Sequence, residues 1–265
     1  MSSSLIIGQF IPGDSVVHRM DPRSKIAIIF FFVVIVFFAN SVMSYGLLAL
    51  FAIGSALLSR IPFPYIMKGL KPVWFLIIFT FILHLLVTRQ GDVAFSVFGW
   101  EVYEEGLIQG AAISLRFFLL ILVTSMLTLT TTPIEITDAI EELLGPLKKV
   151  RFPVHELALM MSISLRFIPT LMQETEKISK AQASRGVDFR TGSFKDRIRA
   201  VIPLLVPLFV SAFKRAEELA MAMEARGYQG GEGRSKLREL RIGKLDIYLY
   251  ILFILLVIGL FLTRS

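Results

Sequence analysis

The chain has no cysteine, so disulfides, thiol nucleophiles and thiolate metal sites are excluded at once. Histidine is nearly as scarce. His18, His84 and His155 are its three copies, and none stands at metal-ligand spacing from another. No GxxxxGK[ST] loop is present to cradle nucleotide phosphates, and no HExxH or GxSxG signature occurs. Charged residues make up only 18% of the 265, against 55% hydrophobic ones, 23 of them Phe. A soluble core of this size could not hide that load, whereas lipid-facing helices can carry it. The net charge of +7 comes from basic residues interleaved with acidic ones. It therefore reads as topogenic loops in contact with a lipid bilayer, not as a nucleic-acid surface.

Apolar runs define five candidate spans, at about 26–39, 42–59, 72–88, 107–131 and 246–263. Met1 to Met20 has no apolar h-region, so the first run reads as a span and not as a cleaved signal. The first loops carry Arg19, Arg23, Lys25, Arg60, Lys68 and Lys71. Arg89 faces Asp92, Glu101, Glu104 and Glu105 in the loop after the third span. Positive-inside asymmetry then predicts a cytosolic N-terminus, an external acidic loop and an external Ser265. The expected fold class is an all-α polytopic membrane protein. Residues 1–131 hold transmembrane helices one to four, 132–245 a cytosolic or interfacial helical block, and 246–265 the last span.

The polar block opens at Thr132-Pro133, an N-cap and N1 proline with Glu135 placed for a capping box. A helix stop follows at Gly145-Pro146, and Pro169 predicts a kink or a new start in the next helix. That helix carries Leu171, Ile178 and Ala181 on one face and ends at Ser184-Arg185-Gly186. A later one carries Phe209, Ala212, Phe213, Ala216, Leu219, Ala220 and Met223, and ends at Ala225-Arg226-Gly227. Alone, each Arg-Gly ending reads as a C-cap, with a cation near the helix C-terminus and a left-handed glycine beyond it. Two of them, each following an apolar stripe, read as paired docking points for a partner with an acidic-rimmed groove. Arg116 lies inside the fourth span, and an intramembrane charge is a functional candidate as well as a packing one. Its expected neighbours are Ser114 or Ser125, unless it snorkels. With His84 it would serve an autonomous secondary transporter. A non-transporting membrane scaffold is the third reading of the composition.

Taken together, Asp21-Pro22-Arg23-Ser24-Lys25, Thr132-Pro133, Leu165-Arg166-Phe167-Ile168-Pro169, Ala181-Gln182-Ala183-Ser184-Arg185-Gly186 and Glu224-Ala225-Arg226-Gly227 resemble a known family. It is the transmembrane T component of energy-coupling factor (ECF) transporters, which includes the cobalt-uptake membrane subunit. The first motif departs from the family's Ala-Arg-Gly by reading Ser-Arg-Gly. The resemblance implies a non-catalytic subunit that binds no cofactor, with ATP and Mg on two partner ABC-type ATPases. Arg185 and Arg226 would each enter a groove of one ATPase. Leu204, Leu205, Leu208 and Phe209 would touch a membrane-embedded S component that captures a vitamin or metal ion. The implied location is the bacterial or archaeal cell membrane.

Overall fold

A computed structural model describes residues 10–97, 100–187, 194–230 and 240–263. Within these the chain is helical apart from one antiparallel hairpin. The helices are α1 (Val16–Arg19), α2 (Pro22–Ile35), α3 (Val42–Ser59), α4 (Phe63–Val87), α5 (Glu104–Thr130), α6 (Pro133–Leu143), α7 (Val154–Ser184), α8 (Phe194–Ala225) and α9 (Lys244–Leu262). The hairpin pairs β1 (Val93–Val97) with β2 (Trp100–Tyr103) between α4 and α5. The fold is that of an all-α polytopic membrane protein. The expected external position of Ser265 lies outside the described residues.

The chain divides into two compact units, 1–143 with 239–265, and 144–238. The boundary falls beyond residue 131, where composition had placed it. Helix α6 is polar enough to read as part of the next block, yet it packs along α2 and buries Thr137 and Ala139. In the first unit Phe32, Val36, Leu48, Leu119 and Leu260 are fully buried. Phe51 stacks on Phe32 and meets Phe253 edge-on, both at 5.7 Å, which joins α2, α3 and α9. Helices α4 and α5 approach closely at Gly110, where a Cβ would come within 3.2 Å of the Phe81 ring and 3.3 Å of the His84 Cβ. Around this core, Leu50, Phe75 and Leu57 are each at least 74% exposed. Such a surface is stable against hydrocarbon and not against water.

Among the described residues, four helices are long and apolar enough to span a bilayer: α3, α5, α7 and α9. Helix α4 makes a fifth as a broken span, bent by 58° between Phe63–Lys71 and Val73–Val87. The bend falls at Pro72, which lacks the N–H that would continue the ladder. Two details differ from expectation. The first apolar run forms only a 14-residue helix, because the chain tightens into a 3₁₀ turn at Val36–Phe38, so α2 falls short of that length. Helix α7 meets it instead, with a hydropathy of 1.2 against 1.8 to 2.7 for α3, α5 and α9.

Pro169 neither ends nor restarts α7, which runs unbroken for 31 residues, and α8 likewise contains Pro203 and Pro207. Both helices thus carry proline in their interiors, where propensity alone disfavours it. The Thr132 capping box forms as read: Thr132 N–H donates to Glu135 Oε2 at 3.0 Å, and Glu135 N–H donates to Thr132 Oγ1 at 3.3 Å.

Candidate functional site

In the second unit α7 and α8 form an antiparallel hairpin. At the end where α8 begins, Gln182 Nε2 donates to the Pro203 carbonyl at 3.4 Å. Midway, Glu174 accepts from Ser211 Oγ at 2.9 Å and pairs with the Arg215 guanidinium. At the far end the Tyr228 hydroxyl lies 3.3 Å from His155 Nε2. Ile163, Phe167 and Leu171 of α7 face Ala212, Leu219 and Met223 of α8 across a groove of about 300 Å³. The small alanines, with Ala216 and Ala220, let the backbones approach.

The apolar stripe of α8 is wider than this contact. Ala212, Ala216, Leu219, Ala220 and Met223 line the groove, whereas Phe209 and Phe213 are 61% and 73% exposed. Val201, Ile202, Leu205, Val206 and Val210 are exposed with them. Leu204 and Leu208 are half-buried. The Lys214–Glu218 spacing makes no ion pair, while Lys180 and Glu176 do pair on α7, at 2.7 Å.

Both Arg-Gly endings fold into the same terminal turn. In the first, Gly186 N–H donates to the Ala183 carbonyl at 3.0 Å and Val187 N–H to the Gln182 carbonyl at 3.1 Å. In the second, Gly227 N–H donates to the Glu224 carbonyl at 2.9 Å and Tyr228 N–H to the Met223 carbonyl at 3.0 Å. These are the two bonds of a Schellman motif, and they need a left-handed residue after the cap. Gly186 and Gly227 supply it with φ of +84° and +71°. Arg185 and Arg226 take the C-cap position of their helices and are exposed. Among the described residues neither guanidinium makes a hydrogen bond or ion pair.

Ser184 precedes Arg185 where Ala225 precedes Arg226. The Ser184 hydroxyl donates to the Lys180 carbonyl at 3.1 Å. Its polar group is thus spent on its own helix, and the residue presents little more than an alanine does. The two arginines stand near opposite ends of the hairpin. From Pro203, level with Gln182, the helix rises about 35 Å to Arg226.

Arg116 is placed differently from expectation. Its Nη2 donates to the Tyr45 hydroxyl at 2.8 Å and to the Ala39 carbonyl at 3.3 Å, and its guanidinium lies 5.4 Å from the Phe37 ring centroid. Ser114 bonds instead to the Ile77 carbonyl, and Ser125 faces Gly69. The 3₁₀ turn after α2 frees the Ala39 carbonyl, and the arginine satisfies it there. His84 makes no ring contact with Arg116. Among the described residues no three His, Asp or Glu side chains come together as a metal site.

Sequence reading missed one polar constellation in the first unit. Asp21 caps α2 and accepts from Arg23 N–H at 2.8 Å, and also from the Arg23 guanidinium. Burial pushes the Asp21 carboxyl up, but the Arg23 hydrogen bonds and charge outweigh it and hold the pKa below the usual aspartate value. Lys25, 5% exposed, donates to the Thr130 carbonyl at 3.2 Å and the Thr131 hydroxyl at 3.1 Å. Burial pushes its pKa down to about 8, against the pull of Glu135, Asp246 and Asp21. The signal was present in Asp21-Pro22-Arg23, which as a sequence explains itself as a helix start, and in Asp246, a lone acid opening an apolar helix.

The profile of the cobalt transport protein family (CbiQ) matches residues 13–237. The chain is 61% identical over 265 residues to the energy-coupling factor transporter transmembrane protein EcfT of Bacillus subtilis (strain 168), covering 100% of both chains. It is 56% identical over 253 residues to the EcfT protein of Exiguobacterium sibiricum, covering 95% of this chain and 96% of that one. The EcfT protein of Lactococcus lactis subsp. cremoris is 49% identical over 255 residues, covering 96% of each. With its apolar spanning helices and this likeness along its whole length, the chain belongs to the CbiQ family, as an energy-coupling transmembrane component of ECF transporters.

Proposed function

We propose that this chain couples ATP hydrolysis on two partner ABC-type ATPases to the movement of a membrane-embedded S component, for uptake of a vitamin or metal ion. The observation that carries the reading is the pair of like-folded helix endings, each presenting an exposed arginine with no ion pair among the described residues. A C-cap needs the glycine; it does not need an exposed arginine before it. A planar guanidinium on a rigid helix end suits a bidentate carboxylate in a partner's groove. A spacing of about 35 Å along the hairpin suits two ATPase subunits side by side. Each would take one of the endings Ser184-Arg185-Gly186 and Ala225-Arg226-Gly227. ATP and Mg belong to those subunits in this reading, and the present chain binds no cofactor and catalyses nothing.

The face of α8 left uncovered by α7 is the proposed contact for the S component, through Leu204, Leu205, Leu208 and Phe209. Opening and closing of the ATPase pair would shift α7 and α8, and this face would carry the shift to the S component. The protein would lie in a bacterial or archaeal cytoplasmic membrane with its N-terminus cytosolic, on the positive-inside balance of its loops. We read α7 as cytosolic or interfacial despite its length. Its second half carries Glu174, Glu176, Lys177 and Lys180, which a spanning helix would have to bury in lipid.

Arg185→Glu and Arg226→Glu test the reading. Each single change is expected to weaken ATPase co-purification about tenfold, the scale of a lost charge-assisted hydrogen bond. The double change should abolish uptake. Wild-type recovery of both ATPases with the double variant would refute the docking role.

A further inference from the structure

The chain passes from the membrane unit to the α7–α8 unit after Leu143 and returns at residue 239. On the way out it leaves through α6, whose Glu142 pairs with the Arg23 guanidinium. On the way back it enters α9, whose Asp246 accepts Asp21 N–H at 2.9 Å through Oδ1 and Gly243 N–H at 2.7 Å through Oδ2. The two crossings therefore meet at one three-residue segment, Asp21-Pro22-Arg23. Within it the Asp21 carboxylate holds the Arg23 fork at both oxygens, Oδ1 to Nε at 3.1 Å and Oδ2 to Nη2 at 2.8 Å. Two positions on, Lys25 holds the junction of α5 and α6 through Thr130 and Thr131. Asp21, Lys25 and Asp246 are each at most 5% exposed.

We infer that Asp21, Arg23, Glu142 and Asp246 form a fixed clamp that transmits motion of the α7–α8 unit into the membrane bundle. The inference rests on the coupling role proposed above and assigns these residues as positioning residues within it. Opposed carboxylates and a forked guanidinium resist rotation as well as separation, because two parallel bonds fix an orientation where one allows swivelling. With the fork in place, a pull on α6 or on α9 reaches α2, whose Phe32 is fully buried in the core beside Phe51. Without it, α6 can swing about Thr131 and Thr132 and dissipate the pull. The clamp has to stay closed throughout the transport cycle, since a joint that opens cannot carry load.

The absence of natural cysteine in this chain makes a direct test practical. The double variant Arg23→Cys/Glu142→Cys is assembled with its ATPases and S component in vesicles. Uptake per ATP hydrolysed is measured before and after bridging the two thiols with a short, reducible bifunctional reagent. Glu142→Gln, which keeps shape and removes charge, is measured beside it as a variant that perturbs folding least. In the unbridged pair and in Glu142→Gln, ATPases should co-purify at wild-type yield and still hydrolyse ATP. Uptake per ATP should fall about fivefold or more in the unbridged pair. Bridging should restore most of it, and reduction should remove it again. Wild-type coupling in the unbridged pair, or bridging that blocks uptake, overturns the clamp. Loss of ATPases from the unbridged pair alone also overturns it, by making Arg23 part of docking. If the unaltered chain brings down no ATPase, the coupling role itself fails, and the clamp with it.

Discussion

At the scale of single residues, the two Arg-Gly endings separate shape from recognition. Gly186 and Gly227 have nothing within 4 Å of an added Cβ, so alanine there meets no neighbour and only backbone strain opposes it. Left-handed backbone costs an L-residue about 1–2 kcal/mol. Gly227→Ala should thus lower thermal stability by about that amount, read in a melting curve, and fray the last turn of α8. Arg226→Ala should leave the melting curve nearly unchanged and lose ATPase recovery, because its side chain is exposed and has no hydrogen bond or ion pair among the described residues. A fall in stability for Arg226→Ala, with docking intact, would return the motif to a plain helix cap. The glycines were legible in the sequence because their backbone demand is local. The exposure of the arginines was not, since a counter-ion could have come from any distant segment. Arg116 shows the converse: its partners, Tyr45 and Ala39, lie more than 70 positions away in the chain and no spacing rule points to them.

At the scale of elements, the apolar stripe of α8 divides between two duties. Leu219 and Met223 turn toward α7, while Phe209 and Phe213 turn away from it. Periodicity registers both as one hydrophobic face, because it sees the angle around the helix and not the width of the partner. Phe209→Ser is therefore expected to leave the stability of the hairpin within about 0.5 kcal/mol of wild type, as for an exposed site. The same change should weaken S-component recovery from membranes several-fold. Equal loss of the S component and of helix stability would mean that Phe209 packs within this chain instead. Pro169 signals a kink or a new start, but α7 runs on through it as one helix, as α8 does through Pro203 and Pro207, at a local cost of roughly 3 kcal/mol each.

At the scale of the whole molecule, the coupling reading assigns no solute pathway to this chain. Purified alone into liposomes, it should give no substrate flux above empty vesicles, with or without ATP outside. Flux from the chain alone would instead support the secondary-transporter reading built on Arg116 and His84. The sequence by itself determined membrane residence, the helical class, both Arg-Gly endings and the family, because hydrocarbon burial and helix capping act through composition and short spacings. Only the tertiary structure decided which apolar face stays uncovered and that the two arginines stand near opposite ends of one hairpin. It also brought both chain crossings into contact with Asp21-Pro22-Arg23. The physical reason is distance along the chain: Asp21 meets Asp246, and Arg23 meets Glu142, only after folding brings helix ends together. Their worth comes from burial that no local pattern encodes.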